Sequence, residues 1–193
     1  MTGLAIGCSH TAGVGVAPHE CYVSVLSRQI GLPIINLSEP GGNSLHIQER
    51  LVDHLRYNLP EFVILQWPNI FRRTTWLKGS PVKENIHNAS QVFHVIMKAG
   101  PENFTNPWLM NIITCNRLCN LAGIPTINIL LESLDSDSLE ILQKQDIVMH
   151  CDDKTPTRTW LFDSAGSDNL HHSARCHAQW AERLKGLLNE YTT

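Results

Sequence analysis

Residues 61–67 read EFVILQW, a nearly continuous apolar run that is too short for a buried helix. Such a run fits a strand covered on both faces, which is the condition of a central strand in a parallel sheet. That one reading constrains the rest of the chain, because parallel neighbours must be joined by crossovers, usually helical ones.

The expected partners are present. LAIG (Leu4 to Gly7), IINL (Ile34 to Leu37) and IPTINILL (Ile124 to Leu131) are short runs of strand character, and DIVMH (Asp146 to His150) is a shorter fifth. Segments of helical spacing separate them. These are His19 to Ile30, with Pro18 at a first turn, Ser44 to Asn58, and Trp108 to Gly123, which ends at a glycine. From Ser173 to Tyr191, Ala174, Ala178, Ala181, Leu184, Leu187 and Leu188 form one face of a closing helix. The pattern is that of an α/β fold with a central, mainly parallel five-stranded sheet.

With 193 residues the chain is expected to form a single domain, 1–193. Residues 70–107 match neither strand nor helix pattern and are expected to be a long insertion or cover. A formal charge of −3 offers no electrostatic case for nucleic acid or an anionic membrane surface. The start lacks the basic and apolar segments of a secretory signal, and no apolar run reaches spanning length, so a cytoplasmic location is expected. Six scattered cysteines fit reduced thiols better than a disulfide scaffold.

In such a sheet, ligands collect beyond the carboxyl ends of the strands. There the sequence places Gly7-Cys8-Ser9-His10, then SEPGGNS, then QWPN, and SDNLHHS stands just before the closing helix. Serine, histidine and aspartate, with glycine and asparagine as amide donors, are the groups that acyl transfer requires. By residue type alone either Cys8 or Ser9 could be the nucleophile. The cluster of His150, Cys151, His171, His172, Cys176 and His177 lacks paired metal-ligand spacing, so no metal is expected.

Taken in order, IGCSHTAGVG, NLSEPGGNS, VILQWPN and DNLHHS resemble the four sequence blocks of the SGNH/GDSL hydrolase superfamily. The resemblance implies a flavodoxin-like three-layer α/β/α sandwich and a serine esterase, lipase or carbohydrate deacetylase activity without a cofactor. It implies Ser9 as nucleophile, His171 as general base and Asp168 as the carboxylate that orients it. The implied oxyanion donors are the Ser9 and Gly41 N–H groups, with Gly42 as the alternative, and the Asn69 side chain. His172 is the alternative base.

The blocks depart from the family pattern at three places. GCS stands for GDS, Trp67-Pro68-Asn69-Ile70 stands where G-x-N-D is usual, and His172 follows the histidine where proline is frequent. Trp67, Arg73 and His10 are expected to line a substrate site. Core packing of Trp67, a solvated pair of Arg73 with Arg72, and a turn role for His10 are the alternatives. The expected partner is a small-molecule or carbohydrate ester. A non-catalytic carbohydrate-binding or structural module and an O-acyltransferase remain open on the same fold.

Overall fold

The computed structural model describes residues 1–70, 72–77, 80–85, 102–130, 136–150 and 171–191. In chain order its elements are β1 (Gly3–Ile6), α1 (Ser9–Ala12), α2 (Tyr22–Ile30), β2 (Ile34–Asn36), α3 (Ser44–Leu55), β3 (Val63–Trp67) and β4 (Arg72–Leu77). They continue with β5 (Ser80–Asn85), α4 (Glu102–Leu121), β6 (Thr126–Leu130), α5 (Ser136–Gln143), β7 (Met149–His150) and α6 (Ala174–Tyr191).

Five strands form one sheet in the order β2-β1-β3-β6-β7, every pair parallel. β3 is central, as its apolar run requires: Leu4 pairs with Val63 on one side, and Val63 with Thr126 on the other. Strand alternation sends Leu4, Ile6, Val63, Leu65 and Trp67 to one face, where they pack with residues of α3, α4 and α5. Ala5, Ile64, Ile127 and Ile129 point to the opposite face, against α2 and α6. The result is the expected three-layer α/β/α sandwich.

Several boundaries differ from the sequence reading for local reasons. α2 begins at Tyr22 because Ala17 to Glu20 closes as a turn, with Glu20 N–H on Ala17 O at 2.8 Å and the Glu20 carboxylate on Ala17 N–H at 3.0 Å. Pro18 therefore presets the second position of that turn rather than opening the helix. α4 starts at Glu102, ahead of the expected Trp108, and carries Pro107 inside it. The four-residue α1 and the helix α5 were not legible as helices. Part of the 70–107 segment is an antiparallel hairpin, β4 with β5, in which Leu77 pairs with Ser80.

Cys8, Cys21, Cys115, Cys119 and Cys176 are buried free thiols, and Cys151 lies outside the described residues. No helix among the described residues is long and apolar enough to cross a membrane.

Candidate active site

Strand order reverses between β1 and β3, the topological switch point at whose carboxyl edge folds of this kind bind their ligands. The loop after β1 carries Ser9 and the loop after β3 carries Asn69. At Gly7 a side chain has no room: a Cβ there would lie 2.4 Å from Thr11 Oγ1 and 2.9 Å from Gln66 Oε1. This lets β1 turn at once into α1, whose first residue is the buried Ser9. Gly13, with φ of 79°, ends α1 in the left-handed region that glycine tolerates best.

A single side chain, Gln66, organises this turn. Its Oε1 accepts the Cys8 N–H at 3.1 Å, the Cys8 thiol at 3.0 Å and the Thr11 hydroxyl at 3.1 Å. Its Nε2 donates to the Trp67 carbonyl at 3.0 Å. Cys8 is wholly buried, with its sulfur on Gln66 Oε1 and 3.7 Å from His10 Nδ1. In the sequence Gln66 stands as one polar residue within an apolar run. The available signal was its amide, since a buried polar group in a central strand must find partners.

The second loop rests on the first. Glu39 N–H donates to Gly7 O at 3.3 Å, and Gly42 N–H closes the loop on Glu39 O at 2.9 Å. A Cβ at Gly42 would come within 3.2 Å of Gly7 O. Gly41 has φ of 74° and is half-buried. Of the two glycines, Gly42 spends its amide inside the turn. Asn43 then caps α3 by accepting His46 N–H at 3.0 Å. Asn69, half-buried, follows Pro68, whose carbonyl accepts the Trp108 indole N–H at 3.0 Å.

The histidines ahead of α6 reach the Ser9 turn. The His10 ring lies 5.1 Å from His171 and 4.5 Å from His172, centroid to centroid. His171 is half-buried and His172 buried. Burial, followed by the neighbouring His171, lowers the His172 pKa to about 4, so this ring is neutral at ordinary pH. Burial, with His172 beside it, likewise lowers His177 to about 4. Asp168 lies outside the described residues, as does the side chain of Arg73, whose backbone is in β4.

Trp67 corrects the expectation of a substrate-binding tryptophan. It is fully buried, edge-on to Trp108, and its indole N–H is bonded to Asn128 Oδ1 at 2.9 Å. No face of the ring is open to a sugar, because the strand alternation turns it into the core beneath α4. Among the described residues no group of three or more His, Cys, Asp or Glu side chains is arranged to hold a metal ion.

No protein-family model and no curated protein matches the sequence. Solved structures do match in fold. The psychrotrophic esterase EstA from Pseudoalteromonas sp. is 13% identical with a TM-score of 0.63, over 99% of this chain and 98% of that one. An acetyl xylan esterase from the rumen bacterium Butyrivibrio proteoclasticus is 10% identical with a TM-score of 0.65, over 99% of this chain and 64% of that one. A member of the lipolytic protein G-D-S-L family from Veillonella parvula is 14% identical with a TM-score of 0.53, over 97% and 96%. At these identities the likeness lies in the path of the chain, and that path, with its parallel sheet and helical layers, is the SGNH/GDSL hydrolase fold.

Proposed function

We propose that the chain is an SGNH-type serine esterase that removes a small acyl group, such as acetyl, from an alcohol or carbohydrate. The observation that carries this reading is the meeting of His10 and His171 rings, 5.1 Å apart, which brings the last sequence block to the turn that holds Ser9. The acetyl xylan esterase among the similar folds supports a small acyl group on a sugar as the first substrate to try.

In this reading the Ser9 hydroxyl attacks the ester carbonyl while His171 takes its proton, and Asp168 orients the imidazole and stabilises its charge. The Ser9 N–H, the Gly41 N–H and the Asn69 amide hydrogen bond the oxyanion of the tetrahedral intermediate. Collapse breaks the ester bond, and the His171 proton leaves with the alcohol. Water, deprotonated by the same histidine, then attacks the acyl-serine; as the acyl–oxygen bond breaks, the histidine returns that proton to Ser9 Oγ and the acid departs. His172 is the weaker candidate, since a base that titrates near 4 drives proton removal poorly.

Hydrolysis of p-nitrophenyl acetate by wild type, Ser9→Ala and Cys8→Ala tests the reading. Loss of roughly a thousandfold or more in Ser9→Ala, with Cys8→Ala active, is expected for a lost nucleophile. Equal rates in wild type and Ser9→Ala would overturn it.

A further inference from the structure

We propose that Gln66 is the positioning residue of the Ser9 turn, acting through Cys8 and Thr11 rather than on substrate. The role in catalysis rests on the serine reading above, whereas the role in holding the turn does not.

α1 has four residues, too few to persist on its own backbone hydrogen bonds. Its geometry must come from elsewhere, and Gln66 grips both of its ends. One oxygen accepts from Cys8, the residue before the helix, and from Thr11, inside its last turn. The direction of the hydrogen bonds is determined. The Cys8 N–H can only donate to Oε1 and the Trp67 carbonyl can only accept from Nε2; with Oε1 so placed, the Thr11 hydroxyl gives its proton to Gln66 and accepts from Tyr22 Oη at 3.0 Å. Flipping the amide would break the bonds to the Cys8 N–H and the Trp67 carbonyl, neither of which can reverse its role.

β3 is the middle strand of the sheet and, like β1, is paired on both sides and buried along its whole length. Gln66 thus transmits the rigidity of the central strand to a turn that has little of its own. Thr11 O is held as well, by Asn36 Nδ2 at 2.7 Å and the Cys21 thiol at 3.3 Å. The Cys8 end has Gln66 as its only side-chain oxygen partner among the described hydrogen bonds. Ser9 follows Cys8 directly, so freedom at Cys8 becomes displacement of the Ser9 hydroxyl and of its N–H.

Gln66→Met keeps length and volume but removes the acceptor. Native-state hydrogen exchange should then accelerate at the Cys8 amide by roughly tenfold or more, while the Val63 and Leu65 amides of β3 keep wild-type protection. With p-nitrophenyl acetate, kcat should fall by roughly tenfold or more and KM stay within about twofold, the split expected when a reacting group is misplaced but binding is intact. Unchanged Cys8 exchange, or equal acceleration of β3 and Cys8, would overturn the positioning role. Faster Cys8 exchange with unaltered kcat would overturn its catalytic part, provided that Ser9→Ala is inactive; an active Ser9→Ala would sink the serine reading and leave exchange to decide the turn. If Gln66→Met does not fold, Thr11→Val serves: kcat lowered by about threefold at constant KM supports the same role, and wild-type kcat contradicts it.

Discussion

His177 of α6 accepts the backbone N–H of Tyr22 at its Nδ1, 3.1 Å away and 155 residues distant in sequence. The bond supplies what the start of α2 lacks, since Cys21 at its N-cap makes no side-chain capping bond. The imidazole stacks on the Tyr22 ring, with centroids 5.9 Å apart and planes 16° from parallel. An acceptor Nδ1 requires a neutral ring with its proton on Nε2, and that buried nitrogen has no hydrogen-bond partner among the described residues. Helix α6 therefore closes the sandwich partly by capping a helix from another part of the chain.

This arrangement makes stability depend on pH in a stated direction. His172 and His177 have pKa values lowered to about 4, against 6.5 when unfolded. Between those values the unfolded chain binds protons that the folded chain refuses, so stability is full above about pH 6.5 and falls toward pH 4. Each ring contributes a loss on the order of 3 kcal/mol. Urea unfolding at pH 7, 5.5 and 4 reads the slope, and His177→Gln, whose amide oxygen can still accept from Tyr22, should flatten it. A slope equal in wild type and variant would refute the assignment.

Gly7→Ala tests the close packing under Ser9. Its methyl would collide with the Thr11 hydroxyl and the Gln66 amide. An overpacked site of this kind costs about 1–3 kcal/mol. Since both neighbours hold the α1 turn, the p-nitrophenyl acetate hydrolysis expected of the proposed esterase should fall further than stability alone explains, as judged by kcat under conditions where the variant is fully folded.

Position 8 should discriminate sharply among small polar residues. Cys8→Ser keeps a donor facing Gln66 Oε1, and near wild-type stability is expected. Cys8→Asp sets a carboxylate against the same oxygen, now 3.0 Å from the sulfur, and should destabilise by about 1–3 kcal/mol. Unfolding midpoints of the two variants decide; Cys8→Asp as stable as Cys8→Ser would show that the Gln66 amide reorients freely.

Beneath β3 and β6 lies a second polar cluster. Asn128 Oδ1 accepts from Trp67 and from Asn116, and Asn128 Nδ2 donates to Asn116 Oδ1 at 2.8 Å. Asn128→Leu strips the Trp67 indole N–H and Asn116 Oδ1 of their partners, while Asn116 Nδ2 keeps the Ile112 carbonyl at 2.8 Å, and should cost about 2–4 kcal/mol. Trp67→Phe removes the indole donor and leaves a cavity where the larger ring packed. In a double-mutant cycle by urea unfolding the two losses should not add, and additivity would mean that the indole bond contributes nothing.

Much of the architecture is local enough to be legible in the chain. The apolar EFVILQW run required a doubly covered strand, the neighbouring runs required parallel pairing, and the crossovers required helices, so sheet and layers follow from periodicity and chain connectivity. The order of the short blocks after each strand likewise pointed to the Ser9 turn, because a parallel sheet gathers those loops at one edge. What periodicity could not reveal was partnership between side chains distant in sequence. Gln66 read as one residue of an apolar run, and only the pairing of β3 beside β1 sets its amide beneath Cys8 and Thr11. Trp67 read as a binding platform until the strand's alternation and α4 enclosed it with Asn128. Hydrophobic pattern is written residue by residue along the chain, whereas a buried hydrogen bond exists only when two separate segments meet, and at that meeting the tertiary structure alone decided what Cys8, Gln66 and His177 do.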